Sequence, residues 1–147
     1  MKHLGLFVLR VVFGTVIALH GYPKLFGGKK ASPHTERYLG ARFNEFMEGG
    51  GLDKHIGTAR QLGVPAPELL GPLSAGTEFF GGLALIFGWK TRLASALLLG
   101  NMAVAIQKVH AKNGLMGQFG YETPLLFAAA FATTLLAGPG KIGIDKS

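Results

Sequence analysis

Glu78 is the residue from which chemistry can be read most directly. From Leu69 to Gly88 it is the sole ionisable side chain in a run of apolar and small residues, and that run is long enough to cross a bilayer, which takes about 20 mostly apolar residues. A carboxylate at that depth costs at least ~2.5 kcal/mol on insertion scales, so it must face protein and hold a partner. Such an acid can anchor a cation, pass on a proton or contact a ligand. Arg10 interrupts a second apolar run, Leu4 to Tyr22. At about 1.5 Å rise per residue Arg10 lies roughly 9 Å and Glu78 roughly 15 Å above the side bearing the termini, a gap that an arginine side chain spans. The spacing therefore predicts an intramembrane ion pair between Arg10 and Glu78, either structural or part of the working site.

The same reckoning puts His20, His110 and Glu122 at one level, roughly 24 Å up, near the opposite mouth. Two imidazoles and a carboxylate form a candidate open metal site. The alternatives are a quinone or other flat ligand hydrogen-bonded by His20 or His110 with Phe79, Phe80 or Phe119 as walls, or plain interfacial residues. His3, His34 and His55 read as solvated.

The elements that must position these groups follow from composition and periodicity. With 147 residues, 48% hydrophobic and only 16% charged, the chain has a membrane composition, and its length fits one domain. The net charge of +7 falls beside the apolar runs, which points to anionic lipid head groups and away from nucleic acid. The absence of cysteine excludes disulfides, thiolate ligands and a dithiol step carried by this chain. The expected fold is all-α: an integral membrane four-helix antiparallel bundle, residues 1–147, with spans at about 4–22, 67–88, 93–110 and 122–138. No A-x-A site follows the first run, so it reads as an uncleaved span. The first connection should form short amphipathic helices, one opening at Ser32-Pro33 and using Leu39, Phe43, Phe46 and Met47 up to Gly49-Gly50-Gly51, and one using Leu52, Ile56, Ala59 and Leu62.

Heptad counting assigns the inward faces. The first span should turn Arg10, Phe13, Ile17, His20 and Lys24 inward; the second, Gly71, Ala75, Glu78, Gly82 and Leu85. The third should use Leu93, Ala96, Gly100, Ala103, Gln107 and His110, and the fourth Glu122, Leu126, Ala129, Thr133 and Leu136, on the rule that small residues let helices approach. Four spans put both termini on one side, with Lys2, Lys90, Arg92, Lys141 and Lys146. The very short, doubly basic second connection assigns that side to the cytoplasm.

At these residues the chain resembles a known family. HGYPKLFGG (20–28), LGVPAPELLGPLSAGTEFFGGLALIFGWKTRLAS (62–95), the run ending in Val109-His110, GYETPLL (120–126) and GPGKIGID (138–145) are similar to the DoxX family of small bacterial four-helix membrane proteins. Carried over by position, the family's polar motif residues fall on Arg10, His20, Lys24, Glu78, Arg92, His110, Glu122 and Asp145; of these His20, Lys24, Glu78, His110 and Glu122 are the candidate ligand-binding set. Gly143 stands where the family's tail often has serine, and the first connection is longer than usual. The resemblance implies an inner-membrane subunit associated with a quinone-linked redox system, with a soluble or membrane redox partner and a homo-oligomer as further expectations. Electrons would need that partner or a bound quinone, since no haem, flavin or nucleotide motif is present. A non-enzymatic scaffold and a small-molecule permeation protein are the other readings, and no catalytic residue is assigned.

Overall fold

Residues 1–145 are described by a computed structural model, and Lys146 and Ser147 lie outside the described residues. The order is α1 (Lys2–Phe26), α2 (Pro33–Leu39), α3 (Ala41–Glu48), α4 (Leu52–Gln61), α5 (Pro67–Phe87), α6 (Thr91–Ala105) and α7 (Glu122–Ala137). After Ala105 the third long helix continues through a π-helical turn, Ile106–His110, and a 3₁₀ turn, Ala111–Asn113. There is no strand among the described residues. Three helices are long and apolar enough to cross a membrane, Lys2–Phe26, Pro67–Phe87 and Thr91–Asn113, while Glu122–Ala137 is apolar but shorter.

Local sequence explains where these helices stop. Ser32 caps α2 by accepting the His34 N–H at 3.3 Å, with Pro33 as the first helical residue. The expected single helix from Ser32 to the glycines is instead broken at Gly40, whose φ of 86° no helix accommodates. α5 opens on Pro67 and closes on Gly88, at φ 65°, with the Trp89 N–H returning to the Ala84 carbonyl.

α1 and α5 run antiparallel and pack along most of their length; α5 also packs on α6, α6 on α7, and α1 touches α7 to close the ring. Ile17, Leu85, Leu98, Met102, Phe127 and Phe131 fill the centre. Leu4, Val8, Val12 and Val16 form an outward row on α1, 40–58% exposed, as a lipid-facing surface requires. The inward faces expected for α1 and α5 are the ones observed: Arg10 and Ile17, and Gly71, Ala75, Glu78, Gly82 and Leu85, are all buried. Those expected for α6 and α7 are turned away. α6 buries Thr91, Ala94, Ser95, Leu98 and Met102 and exposes Leu93, Ala96, Gly100, Ala103 and Gln107; α7 buries Pro124, Phe127, Ala130, Phe131 and Thr134 and exposes Leu126, Ala129 and Thr133. The reason is a polar contact, since the Ser95 and Thr134 hydroxyls meet at 2.6 Å inside the bundle. In lipid, a polar pair gains more from burial than small residues lose by exposure.

The pair expected between Arg10 and Glu78 is not formed. Arg10 is fully buried and points toward the chain termini, donating from Nη1 to the Leu85 carbonyl at 3.0 Å and from Nη2 to the Ile142 carbonyl. Seven residues separate Leu85 from Glu78, about 10 Å along the helix. Carbonyls at the C-terminal end of α5 carry partial negative charge, so they receive a guanidinium that no carboxylate among the described residues pairs with. The tail that supplies Ile142 is strapped across the same end. Ile144 and Asp145 N–H groups donate to the Phe87 and Gly88 carbonyls, and the Asp145 carboxylate accepts the Lys90 and Thr91 N–H groups at 2.9 and 2.8 Å, at the N-terminus of α6. Those N–H groups, Thr91's foremost, hold the Asp145 carboxyl below its ordinary range. Gly143 lies against Gly88 and Arg10, where a Cβ would sit only 3.2 Å from the Gly88 Cα.

The α1–α5 seam is backbone against backbone. A Cβ on Gly14 would stand 2.7 Å from the Gly82 carbonyl oxygen, one on Gly82 2.6 Å from that of Gly14, and one on Gly21 2.5 Å from the Phe79 nitrogen. Gly82→Ala should therefore lower stability by ~1–3 kcal/mol through overpacking, read as a loss of thermal stability in detergent. Gly100→Ala, with nothing within 4 Å of its Cβ, should leave it unchanged.

Candidate functional site

Glu78 meets a different cation. The seam glycines bring the C-terminal third of α1 against the middle of α5, and there the Lys24 Nζ donates to both Glu78 oxygens, at 2.7 and 2.6 Å. The Glu78 side chain is 7% exposed and that of Lys24 33%, so the pair is closed on the bundle side and open on the other. Asn101 on α6 donates to the Ser74 carbonyl at 3.1 Å and, more weakly, to Glu78 Oε1 at 3.4 Å. Three helices thus converge on one carboxylate.

The open side of the pair faces a cavity of about 650 Å³. Its floor is Ile17, Met102 and Phe127; its polar lining is His20, Lys24, Arg42, Glu78, His110 and Glu122; Phe46 and Phe119 stand at the outer end. His20 is held between aromatic rings, with centroids 6.3 Å from Phe46 and 6.2 Å from Phe127. The Arg42 guanidinium lies over both Phe46 and Phe119, 5.3 and 5.8 Å from their centroids, a cation–π arrangement that fixes it at the mouth. The π-helical turn delivers His110, whose Nδ1–H donates to the Phe119 carbonyl at 2.7 Å, leaving Nε2 as the acceptor of the neutral ring. Asn113 donates to the same carbonyl at 3.1 Å. Phe119 itself has φ 56°, a left-handed conformation that a bulky residue adopts only when its surroundings hold it there.

All five candidate residues His20, Lys24, Glu78, His110 and Glu122 therefore border one space. They do not form the metal site anticipated for His20, His110 and Glu122: among the described residues no group of three His, Asp or Glu is close enough to hold a metal ion. The His110 Nδ1–H bond to a carbonyl would itself suit a ligand, since it leaves Nε2 free; what is lacking is the closeness of His20 and Glu122 to it. Phe119 is a wall as expected. Phe79 and Phe80 are not; they form an outward cluster with Tyr22 and Phe26, at centroid separations of 5.0 to 5.7 Å.

Three contributors escape the sequence reading. Arg42 sits in a connection whose cations look uniformly solvated; Asn101 falls one position from the face assigned to α6; and His55 is half-buried, with its Nε2 enclosed and without a partner. Asn101 carried a usable signal, being an amide in the centre of an apolar span.

A family model described as DoxX matches residues 5–111, about three quarters of the chain, from α1 to the turn after α6. No curated protein and no solved structure matches the chain.

The geometry separates two double-mutant cycles. Removing one partner of a buried pair costs ~3–5 kcal/mol, less here because Lys24 is partly exposed. Glu78→Gln and Lys24→Gln should each destabilise and the double variant should recover at least ~1 kcal/mol. Glu78→Gln with Arg10→Gln should be additive within ~0.5 kcal/mol, measured by denaturant unfolding in micelles.

Proposed function

The chain belongs to the DoxX family, and on that premise we propose that it is a multi-pass subunit of a quinone-linked redox system in the bacterial inner membrane, with the quinone head in the Lys24–Glu78 cavity. In this reading α1, α5, α6 and α7 all span, forming one antiparallel four-helix domain with α2 to α4 capping the mouth and both termini cytoplasmic. The 16 residues of α7 rise about 24 Å, short of the ~30 Å hydrocarbon core, and local thinning of the bilayer makes up the difference at modest cost.

The observation that carries the proposal is the composition of the cavity wall. Ligand sites are typically ~300–1,000 Å³, mostly apolar, with a few placed polar groups. This one joins Ile17, Met102, Phe46, Phe119 and Phe127 to the donors His20, Lys24 and Arg42. A quinone head is a flat ring with two carbonyl acceptors, so aromatic walls and donor side chains fit it, and His20, Lys24 and Arg42 would hold it. When bound, the quinone supplies the redox chemistry for which this chain has no group of its own, and a partner protein supplies the electrons. Glu78 orients the Lys24 ammonium, which donates to both carboxylate oxygens. Arg42, over the Phe46 and Phe119 rings, adds a donor at the mouth.

A second reading, a scaffold that holds another membrane protein or a second copy, draws on the outward cluster Tyr22, Phe26, Phe79 and Phe80 and on the exposed row Ala96, Gly100 and Ala103 of α6. Small residues in a row suit close approach by another helix.

A photoactivatable short-chain quinone analogue distinguishes the two. Saturable binding should be seen, with crosslinks in residues 17–24 and 115–127 and about tenfold weaker binding in His20→Ala, the size of one lost charge-assisted or buried hydrogen bond. Crosslinking confined to the outward aromatic cluster, or no saturable binding, favours the scaffold.

A further inference from the structure

The end of the bundle away from the Lys24–Glu78 cavity carries cations that the fold leaves uncommitted. Lys2, Arg10, Lys90, Arg92 and Lys141 lie at that end, with Asp145 as the one acid among the described residues. Arg10 is spent on buried carbonyls, and the Asp145 carboxylate on the Lys90 and Thr91 N–H groups. Lys90 and Arg92 are exposed and make no ion pair among the described residues. Together with Leu93 they border a notch of about 600 Å³ between the start of α6 and the Ala137-Gly138-Pro139 end of α7.

Both side chains rest against the protein. The Arg92 guanidinium lies along the C-terminal end of α7, where a Cβ on Gly138 would stand 3.4 Å from its Nε and 3.7 Å from Nη2; the glycine leaves room for it, and helix-end carbonyls favour a cation there. The Lys90 ammonium lies over the Trp89 ring, 5.8 Å from its centroid. One step toward the middle of the bundle the surface turns apolar. Leu93 and Leu97, a turn apart on α6, and Leu136 on α7 are all more than half exposed. Two cations above an exposed apolar column match a molecule that is anionic at one end and hydrocarbon at the other.

From this placement we infer that the notch binds one anionic phospholipid of the surrounding leaflet, its phosphate held by Arg92 and Lys90 and its acyl chains laid along Leu93, Leu97 and Leu136. Arginine offers a planar fork of N–H donors to phosphate oxygens, and lysine a compact charge beside it. Basic pockets between spanning helices take anionic head groups in this way. Asp145 also borders the notch, but its carboxylate occupies the N–H groups that open α6, so the phosphate is left to the two side chains. A free phosphate would meet the same cations and gain nothing from the leucines. A zwitterionic lipid brings a cation of its own and loses the advantage of the site. The lipid site stands apart from the cavity at the other mouth and does not depend on what that cavity binds.

Trp89, the single tryptophan of the chain, reports the site without labelling. The full chain in phosphatidylcholine mixed micelles is titrated with phosphatidylglycerol or phosphatidylcholine brominated on the upper acyl chain, and Trp89 fluorescence is followed. Brominated phosphatidylglycerol should quench saturably, and at a mole fraction about 25-fold lower than brominated phosphatidylcholine, two cations contributing about fivefold each. In Arg92→Gln and in Lys90→Gln the preference should drop to about fivefold, while Lys112→Gln, a charge removed at the opposite mouth, should leave it unchanged. Inorganic phosphate or polyglutamate, matched in ionic strength to a chloride control, should not reverse the quenching. Equal quenching by the two lipids in the wild type overturns the inference even if both variants misfold. An equal loss of preference in Lys112→Gln overturns it in favour of general charge attraction. Reversal by phosphate assigns the notch to a free anion, and reversal by polyglutamate alone to an acidic protein segment; either result also overturns the lipid site.

Discussion

The Glu78 charge cannot enter an apolar bundle alone, and the structure is arranged around satisfying it. A carboxylate buried this deeply needs a cation within contact distance and further hydrogen bonds to cover the rest of its valence. Lys24 supplies the first and Asn101 contributes to the second. Lysine reaches Glu78 only because Gly14, Gly21 and Gly82 let α1 and α5 touch backbone to backbone. Because the Lys24 side chain remains one-third exposed, satisfying the acid leaves an opening, and that opening is the cavity. Packing, electrostatics and the candidate site are therefore one construction, in which the tightness of the seam sets the geometry of the pair.

At the other end of the bundle a second buried charge is met by different means. Arg10 has no carboxylate at contact distance among the described residues and rests on carbonyls at the end of α5 and in the tail, with the Phe7 ring 5.9 Å away. Asp145 does the complementary thing at the start of α6. Cation at a helix C-terminus and anion at a helix N-terminus both follow the helix dipole. The two charges lie on opposite sides of the α5–α6 turn, so the tail is fastened by electrostatics that owe nothing to Glu78.

What the sequence made legible was the burial of charge; its partners were not legible. Arg10 and Glu78 announce themselves by interrupting apolar runs, and both are buried on the helix faces that periodicity assigns them. Their pairing failed because rise along a helix fixes height but not the direction in which a long side chain turns. Arginine turned toward the termini, where helix-end carbonyls were available, and lysine turned back from the end of α1. The faces of α6 and α7 failed for a related reason. Rows of alanine and glycine can face lipid as readily as protein, and the deciding contact, Ser95 with Thr134, lies between residues too weakly polar to stand out. Arg42 and His55 were out of reach, since nothing in a polar connection says which of its cations settles over aromatic rings or which of its imidazoles is enclosed. Family motifs recovered Lys24, which physical reading alone placed on the right face without a role.

The bundle rests on an ionised Glu78 held by Lys24 in an otherwise apolar place, and the protonation state of that acid is the measurement that decides the matter. Infrared spectroscopy with isotope-labelled glutamate, the Glu78 band being assigned by its loss in Glu78→Gln, reports that state. Pairing of Glu78 with Lys24 should give a carboxylate at neutral pH in the wild type and in Arg10→Gln, and a protonated carboxylic acid in Lys24→Gln, since an unpaired buried acid takes up a proton rather than keep its charge. A protonated acid in the wild type, or a carboxylate that survives loss of Lys24 but not loss of Arg10, would contradict it.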